Sequence, residues 1–582
     1  MPLPHTQTGF KIDLSELIRT GVYLGRFPKS VPFWSSADGI QFTPHGVKRK
    51  PGRSLIIDLG SSAVRGLMTI NEFDSKVIYA GDLTTLYSYR LDTLAKDTVG
   101  SGYSLVATGG ASVWDSGGST WDSGSSVWDE GVVEADQWSF TNFGQWVLAA
   151  NSAGRIQIKK DNINFNDLHS SEVSGAIVNA GGSGYVVGDT VTHTGGSGTG
   201  FATTITEVSA GAVTAFEVTN FGSGYADGET LTQNTTSGIG TGFTLDVTVP
   251  DTPFETAKIV QKAGRHILVF DYTTSTAEFP YGFAWCSEDD VDTWVAASTN
   301  SAGSLTIREA TTRPQCVKPL GDGWAVYTKT QMFIINYVGA PFYFGYRQVM
   351  STGVGAVSLN SVIPVDRLNY GMSADGIWVT DGSSVTRLGV KEGINEWLKD
   401  NVSVSEYPQV AGYHNARDKE VVWSIPVGDT KPTKELFYNY NTQTFGLRTI
   451  SISAATEAGV FLNSITGDKD GQIYFEDEGS STQTTTGTTA AHDLGDADHI
   501  KELTSIRVGK QGTGNPVIRV GWAEDANGSP TWVDSFTVNE TYQEEHMRTS
   551  GRWLFLDITS SNSSDDWEIS NIEVIGRIGG TR

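Results

Sequence analysis

Hydrophobic positions along this chain come in short β-branched and aromatic runs, broken at close intervals by Gly, Asp and Asn. The stretch from Trp138 to Asn151 predicts a strand, a tight turn at Gly144, and a second strand from Trp146 to Ala149. The same unit recurs where Ser75–Ala80 leads into Leu86–Leu91, and again at Gly264–Phe270, Gly321–Tyr327, Asp375–Asp381 and Asp470–Phe475. Runs of this kind entered or left through turn residues are hairpin signals. Such units cannot each bury a face alone. Packed radially as the blades of a β-propeller they bury every face and leave only short edges. Helical periodicity is confined to Asp13–Arg19, with Asp13 as N-cap, and to Lys391–Lys399.

Two stretches interrupt the blade pattern. Residues 172–250 hold a duplication, in which Gly175–Thr190 is echoed by Ala215–Thr230 and each copy runs into Gly-Thr-Gly-Phe, at Gly198–Phe201 and Gly240–Phe243. Strand-like runs between glycine turns predict a small two-repeat β module, inserted in a propeller loop where insertions are tolerated. Between 112 and 129, Trp114, Trp121 and Trp128 recur every seven residues, but the surrounding Gly and Ser rule out a stable helix. A local β-ribbon with stacked indoles fits better.

The predicted fold is all-β: a β-propeller core, the inserted module, and a C-terminal β-sandwich or barrel. The boundaries follow from these shifts: 1–60 as an N-terminal arm and hairpin, 61–171 and 251–485 as propeller blades flanking the 172–250 module, and 486–582 as the C-terminal β domain. A polar run at 479–489 marks the last junction.

Composition narrows the function. The chain has 582 residues, ample for two or three domains, with 67 glycines and only 2 cysteines. Cys286 and Cys316 make no disulfide framework, which favours folding in a reducing compartment. Met1–His5 lacks the charged and apolar halves of a signal peptide, and no run reaches the ~20 apolar residues of a membrane span, so no stable membrane insertion is expected. A formal charge of −25 argues against a protein that grips nucleic-acid phosphate. It leaves room for one that lets DNA slide past.

Candidate chemistry is sparse. His492 to His499 gathers two His and three Asp, the right ligand types for a metal, but in a polar connection without a rigid scaffold. Thr466–Asp477 resembles part of an EF-hand loop, and a blade turn explains it better. Asp289, Asp290 and Asp292 form an acidic patch beside Trp294, the residue type of glycoside hydrolysis, but sequence cannot supply the carboxylate separation that reaction needs. We therefore assign no catalytic residue, metal or cofactor from sequence, and the chain does not read as an enzyme. Lys48, Arg49, Lys50 and Arg53 form a basic cluster in an acidic chain, readable as a solvated hairpin or as a contact to an acidic partner surface or to DNA phosphate. Trp114, Trp121, Trp128, Tyr185 and Tyr225 are the aromatic candidates for a host-glycan contact.

Several segments, in order, resemble a known family. These are Trp34 with Ile40–Phe42 and Lys50–Gly52, then Gly81–Leu91, Trp138–Gly144, Phe283–Trp294 and Gly339–Phe344. They continue with Gly355–Ala356, Ser361–Val362, Asp375–Gly376, Asp381–Gly382, Gly551–Leu556 and Trp567–Gly576. Together they are similar to the tail nozzle of short-tailed bacteriophages, also called packaged-DNA stabilisation protein or tail tubular protein B. The resemblance spans most of the chain outside 105–135 and 172–250. It implies a β-propeller protomer in a homohexameric ring below the portal and adaptor, with tail fibres or spikes nearby and viral DNA passing through the lumen. It further implies a structural role in the virion tail, assembled in the host bacterial cytoplasm, that retains packaged DNA and allows its ejection. The basic cluster is then expected to face the adaptor. A receptor- or glycan-binding tail protein, and a propeller glycosidase or depolymerase, are the competing readings.

Overall fold

The computed structural model describes residues 9–25, 34–60, 63–72, 75–101, 103, 137–160, 164–169, 173–456, 461, 463–479, 484–562 and 564–579. The chain divides into two compact units, one of Met1–Gly60, Ala374–Val379 and Thr386–Arg582, the other of Ser61–Ser373 and Thr380–Val385.

The second unit is built from four-stranded antiparallel meanders, each with its strands in chain order. The first runs Gly66–Glu72, Ser75–Gly81, Thr85–Arg90, Ala95–Ser101; the next Ser139–Phe143, Trp146–Ala150, Gln157–Lys159, Asn166–Asp167. After the inserted module come Phe254–Ala263, His266–Thr274, Glu278–Trp285, Gly303–Thr306, and then Cys316–Leu320, Gly323–Tyr327, Met332–Gly339, Tyr343–Met350. These are propeller blades. A blade is packed on both faces, so its middle strands carry continuous apolar runs rather than alternation. His266–Phe270 is buried at every position.

The turns between second and third blade strands share one chemistry. Asp82 accepts from the backbone N–H groups of Thr84 and Thr85 at 2.8 and 2.7 Å, and Asn151 does the same for Ala153 and Gly154 at 3.2 and 3.0 Å. Thr328 caps Thr330 and Gln331 with its hydroxyl. Side-chain acceptors two and three residues ahead are what such tight turns require. Trp138 ties two blades together: its indole N–H donates to the Asp82 carbonyl at 2.8 Å, and its ring fills the space a Cβ at Gly81 would enter.

In the first unit the meander Ala411–Asn415, Glu420–Ile425, Lys434–Asn439, Thr444–Thr449 continues into a nine-stranded sheet through Trp34–Asp38, Thr485–Thr489, Trp553–Ser560, Val517–Ala523 and Thr531–Thr537. A further four-stranded blade takes three strands from 454–476 and its fourth, Arg53–Asp58, from the N-terminal region. A six-stranded sheet joins Gly9–Asp13, Ile40–Thr43 and Gly46–Arg49 to Lys501–Thr513, Tyr542–Gly551 and Asp566–Ile578. The described strands of the region read from sequence as an N-terminal arm and hairpin, Gly9–Asp13, Trp34–Asp38, Ile40–Thr43, Gly46–Arg49 and Arg53–Asp58, are therefore interleaved with strands between 411 and 578. Pairings across so many residues leave no local trace. The two expected helices are present as Ser15–Ile18 and Ile394–Asn401, the first with Leu14 and not Asp13 at its N-cap, since Asp13 ends the strand Gly9–Asp13.

The module folds as a six-stranded antiparallel sheet of its own. Its order is Gly175–Ser183, Thr241–Thr248, Thr230–Thr236, Thr190–Thr194, Ala202–Ser209, Ala212–Asn220. The first strand of each copy pairs with the last strand of the other, and the two middle strands pair at the centre. The outermost strands also run against each other, drawing the sheet toward a barrel. Its core holds Tyr185, Tyr225, Phe201, Phe243 and Leu245.

Candidate functional site

The basic cluster does not present itself to solvent as a patch. Neither Lys50 nor Glu420 has any solvent-exposed side chain, and Lys50 Nζ lies 2.5 Å from a Glu420 carboxylate oxygen and 3.8 Å from Asp477. Gln41 donates to the other Glu420 oxygen at 2.6 Å, and Asn415 donates to Asp477 at 2.5 Å. Beside them Arg448, also buried, bridges Glu435 at 2.5 Å and Glu476 at 2.6 Å, with Tyr413 and Thr466 donating to those same carboxylates. Burial pushes the Glu420 carboxyl up, to about 7, against the pull of Lys50. Against burial, Asp477 and Glu420 hold Lys50 firmly protonated. Arg49 is buried and donates to the Asp565 carbonyl at 2.7 Å. Arg53 stacks over Tyr474 at 3.7 Å, and Lys48 reaches Asp418 at 3.3 Å. The adaptor-facing assignment is corrected at Arg49 and Lys50: desolvated charges need internal partners, and these two have them.

The aromatic candidates divide. Trp114, Trp121 and Trp128 lie outside the described residues. Tyr185 and Tyr225 are interior, which corrects their reading as surface contacts. Each ring packs on the other copy's glycine, over Gly240 and Gly198, where a Cβ would come within 2.3 and 2.5 Å. Tyr185 also donates to Gln233 at 2.6 Å.

Among the described residues, no three His, Cys, Asp or Glu side chains converge as a metal site. His499 and Asp496 form a local pair at 2.9 Å, and His492 accepts from the Leu494 N–H at 2.9 Å. Asp468 caps its own turn, accepting from Asp470 and Gln472 at 2.9 Å each. In the acidic patch each carboxylate has its own partner: Asp292 takes Lys160 at 2.5 Å, Asp290 caps Asp292 and Thr293, and Asp289 pairs with Arg265. Cys286 and Cys316 are separate, buried thiols.

One concave site escaped the sequence reading. An open groove of ≈ 580 Å³ lies in the second unit, lined by Phe143, Gly144, Gln145, Trp146, Lys262, Gly264, Arg265 and Asp289. It sits between two hairpin tips, Gly144–Gln145 and Gly264–Arg265. Both turn glycines have positive φ, +64° and +63°, which favours Gly. The spacing of the tips is set by Ser139 and Thr141 on the first strand of one blade. The Ser139 hydroxyl accepts from Val260 N–H at 3.1 Å, and Thr141 accepts from Lys262 N–H at 3.0 Å. Phe143 and Trp146 lie 6.4 Å apart, and the buried Lys160 ammonium sits 5.0 Å from the Trp146 ring centre. Arg265 bridges Glu288 at 2.5 Å and also pairs with Asp289. Among the described residues no carboxylate pairs with Lys262. Each turn was legible alone, but their juxtaposition 120 residues apart was not.

No family model matches the chain, and no curated protein matches it. Solved structures similar to it include a chain of the Mitotic Checkpoint Complex, at 8% identity and TM-score 0.37 over 74% of this chain and 92% of that one. The Cps50 (Swd1) β-propeller domain of Myceliophteria thermophila is similar at 9% identity and TM-score 0.29, over 73% and 99%. The Pan2 WD40 domain of Neurospora crassa is similar at 6% and 0.32, over 73% and 95%. Likenesses this distant carry no argument about this chain, whose architecture rests on its own strand order.

Proposed function

We propose that the chain is a structural virion protein, the nozzle of a short phage tail, forming a homohexameric DNA channel that retains packaged DNA and lets it pass on infection. The reading is carried by the ordered series of segments, from Trp34 to Gly576, that resembles the nozzle family. The charge distribution supports it. Four of the buried cations, Lys50, Arg448, Lys159 and Lys160, each meet a carboxylate at 2.5–2.6 Å. Among the described residues most of the acidic excess lies on side chains outside the buried set. A lumen walled by six such chains repels phosphate and lets DNA slide without counterion-releasing contacts. In this role the neighbours are further copies of the chain, a portal–adaptor complex, tail fibres or spikes, and the DNA itself. With Arg49 and Lys50 internal, adaptor docking falls to other surfaces.

The test is the mass of the purified protein, alone and with its virion heads, by light scattering and negative-stain imaging. A sixfold ring, free or templated by heads, is the expected result. A trimer, or a monomer that ignores heads, overturns the reading.

A further inference from the structure

We infer that the groove between the Gly144 and Gly264 hairpin tips is a binding site for an acidic saccharide, a sugar ring bearing a carboxylate. The inference is independent of the nozzle reading, since the groove lies wholly within one protomer.

Its walls supply the three things such a ligand needs. Phe143 and Trp146 give a partly exposed aromatic surface, and the electron-rich face of a π-system attracts the polarised C–H face of a sugar ring. The buried Lys160 ammonium, 5.0 Å from the indole centre and itself held by Asp292, fixes the Trp146 ring, so little rotamer freedom is lost on binding. Gln145, Arg265 and Asp289 are exposed at the rim and offer both donors and acceptors for hydroxyl groups. Their existing ion pair is solvent-exposed, and exchanging part of it for sugar hydroxyls costs little.

Lys262 selects the acid. It lines the groove and no described carboxylate pairs with it, whereas Arg265 on the groove wall and the buried Lys160 beside Trp146 are already matched. A ligand carboxylate completes it. The site is rigid because its two tips are tied through Ser139 and Thr141 to the neighbouring blade. Openness suits one or two residues of a longer chain lying across it.

The experiment titrates the full-length protein with hexagalacturonate by calorimetry, with the neutral cellohexaose and a poly-glutamate peptide in parallel. Saturable binding of hexagalacturonate is expected, weakened about tenfold by Lys262→Gln and about tenfold or more by Trp146→Ala. Lys262→Gln alters a side chain outside the blade core, so its effect is readable even if Trp146→Ala perturbs folding. Absence of saturable binding, equal affinity for cellohexaose or poly-glutamate, or a Lys262→Gln protein that binds like wild type would each overturn the inference.

Discussion

Lys50 and Glu420, 370 positions apart, meet at 2.5 Å with no solvent at either side chain. The pair joins the N-terminal hairpin to a blade strand, and Asp477 and Gln41 close around it. Removing one partner leaves a desolvated charge. Lys50→Met is expected to destabilise the protein by about 3–5 kcal/mol in urea unfolding, while Lys50→Met combined with Glu420→Gln recovers part of that loss. A Lys50→Met protein as stable as wild type contradicts the network.

His193 should make the module acid-sensitive. Its Nε2 shares a hydrogen bond with Thr203 at 2.9 Å, Phe201 and Phe243 pack against its ring, and burial pushes its pKa down to about 4. No charged group shifts it; the cause is desolvation alone. The unfolded imidazole gains its proton near pH 6.5, the folded one only near 4. Stability is therefore full above pH 6.5 and falls as pH drops toward 4, by up to about 3 kcal/mol. Melting curves of wild type and His193→Gln between pH 7 and 4 measure it, and the variant's slope should be flatter.

Gly81 has no room for a side chain. An added Cβ would lie 2.4 Å from the Trp138 indole, itself held by its bond to Asp82. Gly81→Ala is expected to cost about 1–3 kcal/mol through overpacking, read as a lower denaturation midpoint with unchanged slope.

Both thiols should be inert until unfolding. Burial pushes Cys286 up to about 12 and raises Cys316 as well. A thiol reagent at pH 8 should label neither in the native protein and both in guanidinium.

Blade strands and their turns were legible because they are local: the apolar run at His266–Phe270 and the tight turn at Gly144 each declare themselves within a few residues. The duplication at 175–230 was legible for the same reason. What was not legible depends on contacts between distant strands. Arg53–Asp58 completes a blade whose other strands lie beyond residue 450, so the cluster at 48–53 looked like a surface patch and is largely interior. Tyr185 and Tyr225 looked like exposed platforms because nothing in their own loops reveals that the facing copy supplies a bare glycine. The groove needed two hairpins brought side by side through Ser139 and Thr141.

The strand exchange within the module has a further consequence. Because the first strand of each copy is completed by the last strand of the other, neither copy can satisfy its own sheet. A peptide carrying a single copy therefore has one sensible folded state, an intertwined symmetric dimer, with the pseudo-twofold between Thr190–Thr194 and Thr230–Thr236 made a true one. The short Ala210–Gly211 turn would then be a fusion scar, turning a concentration-dependent association into an intramolecular fold.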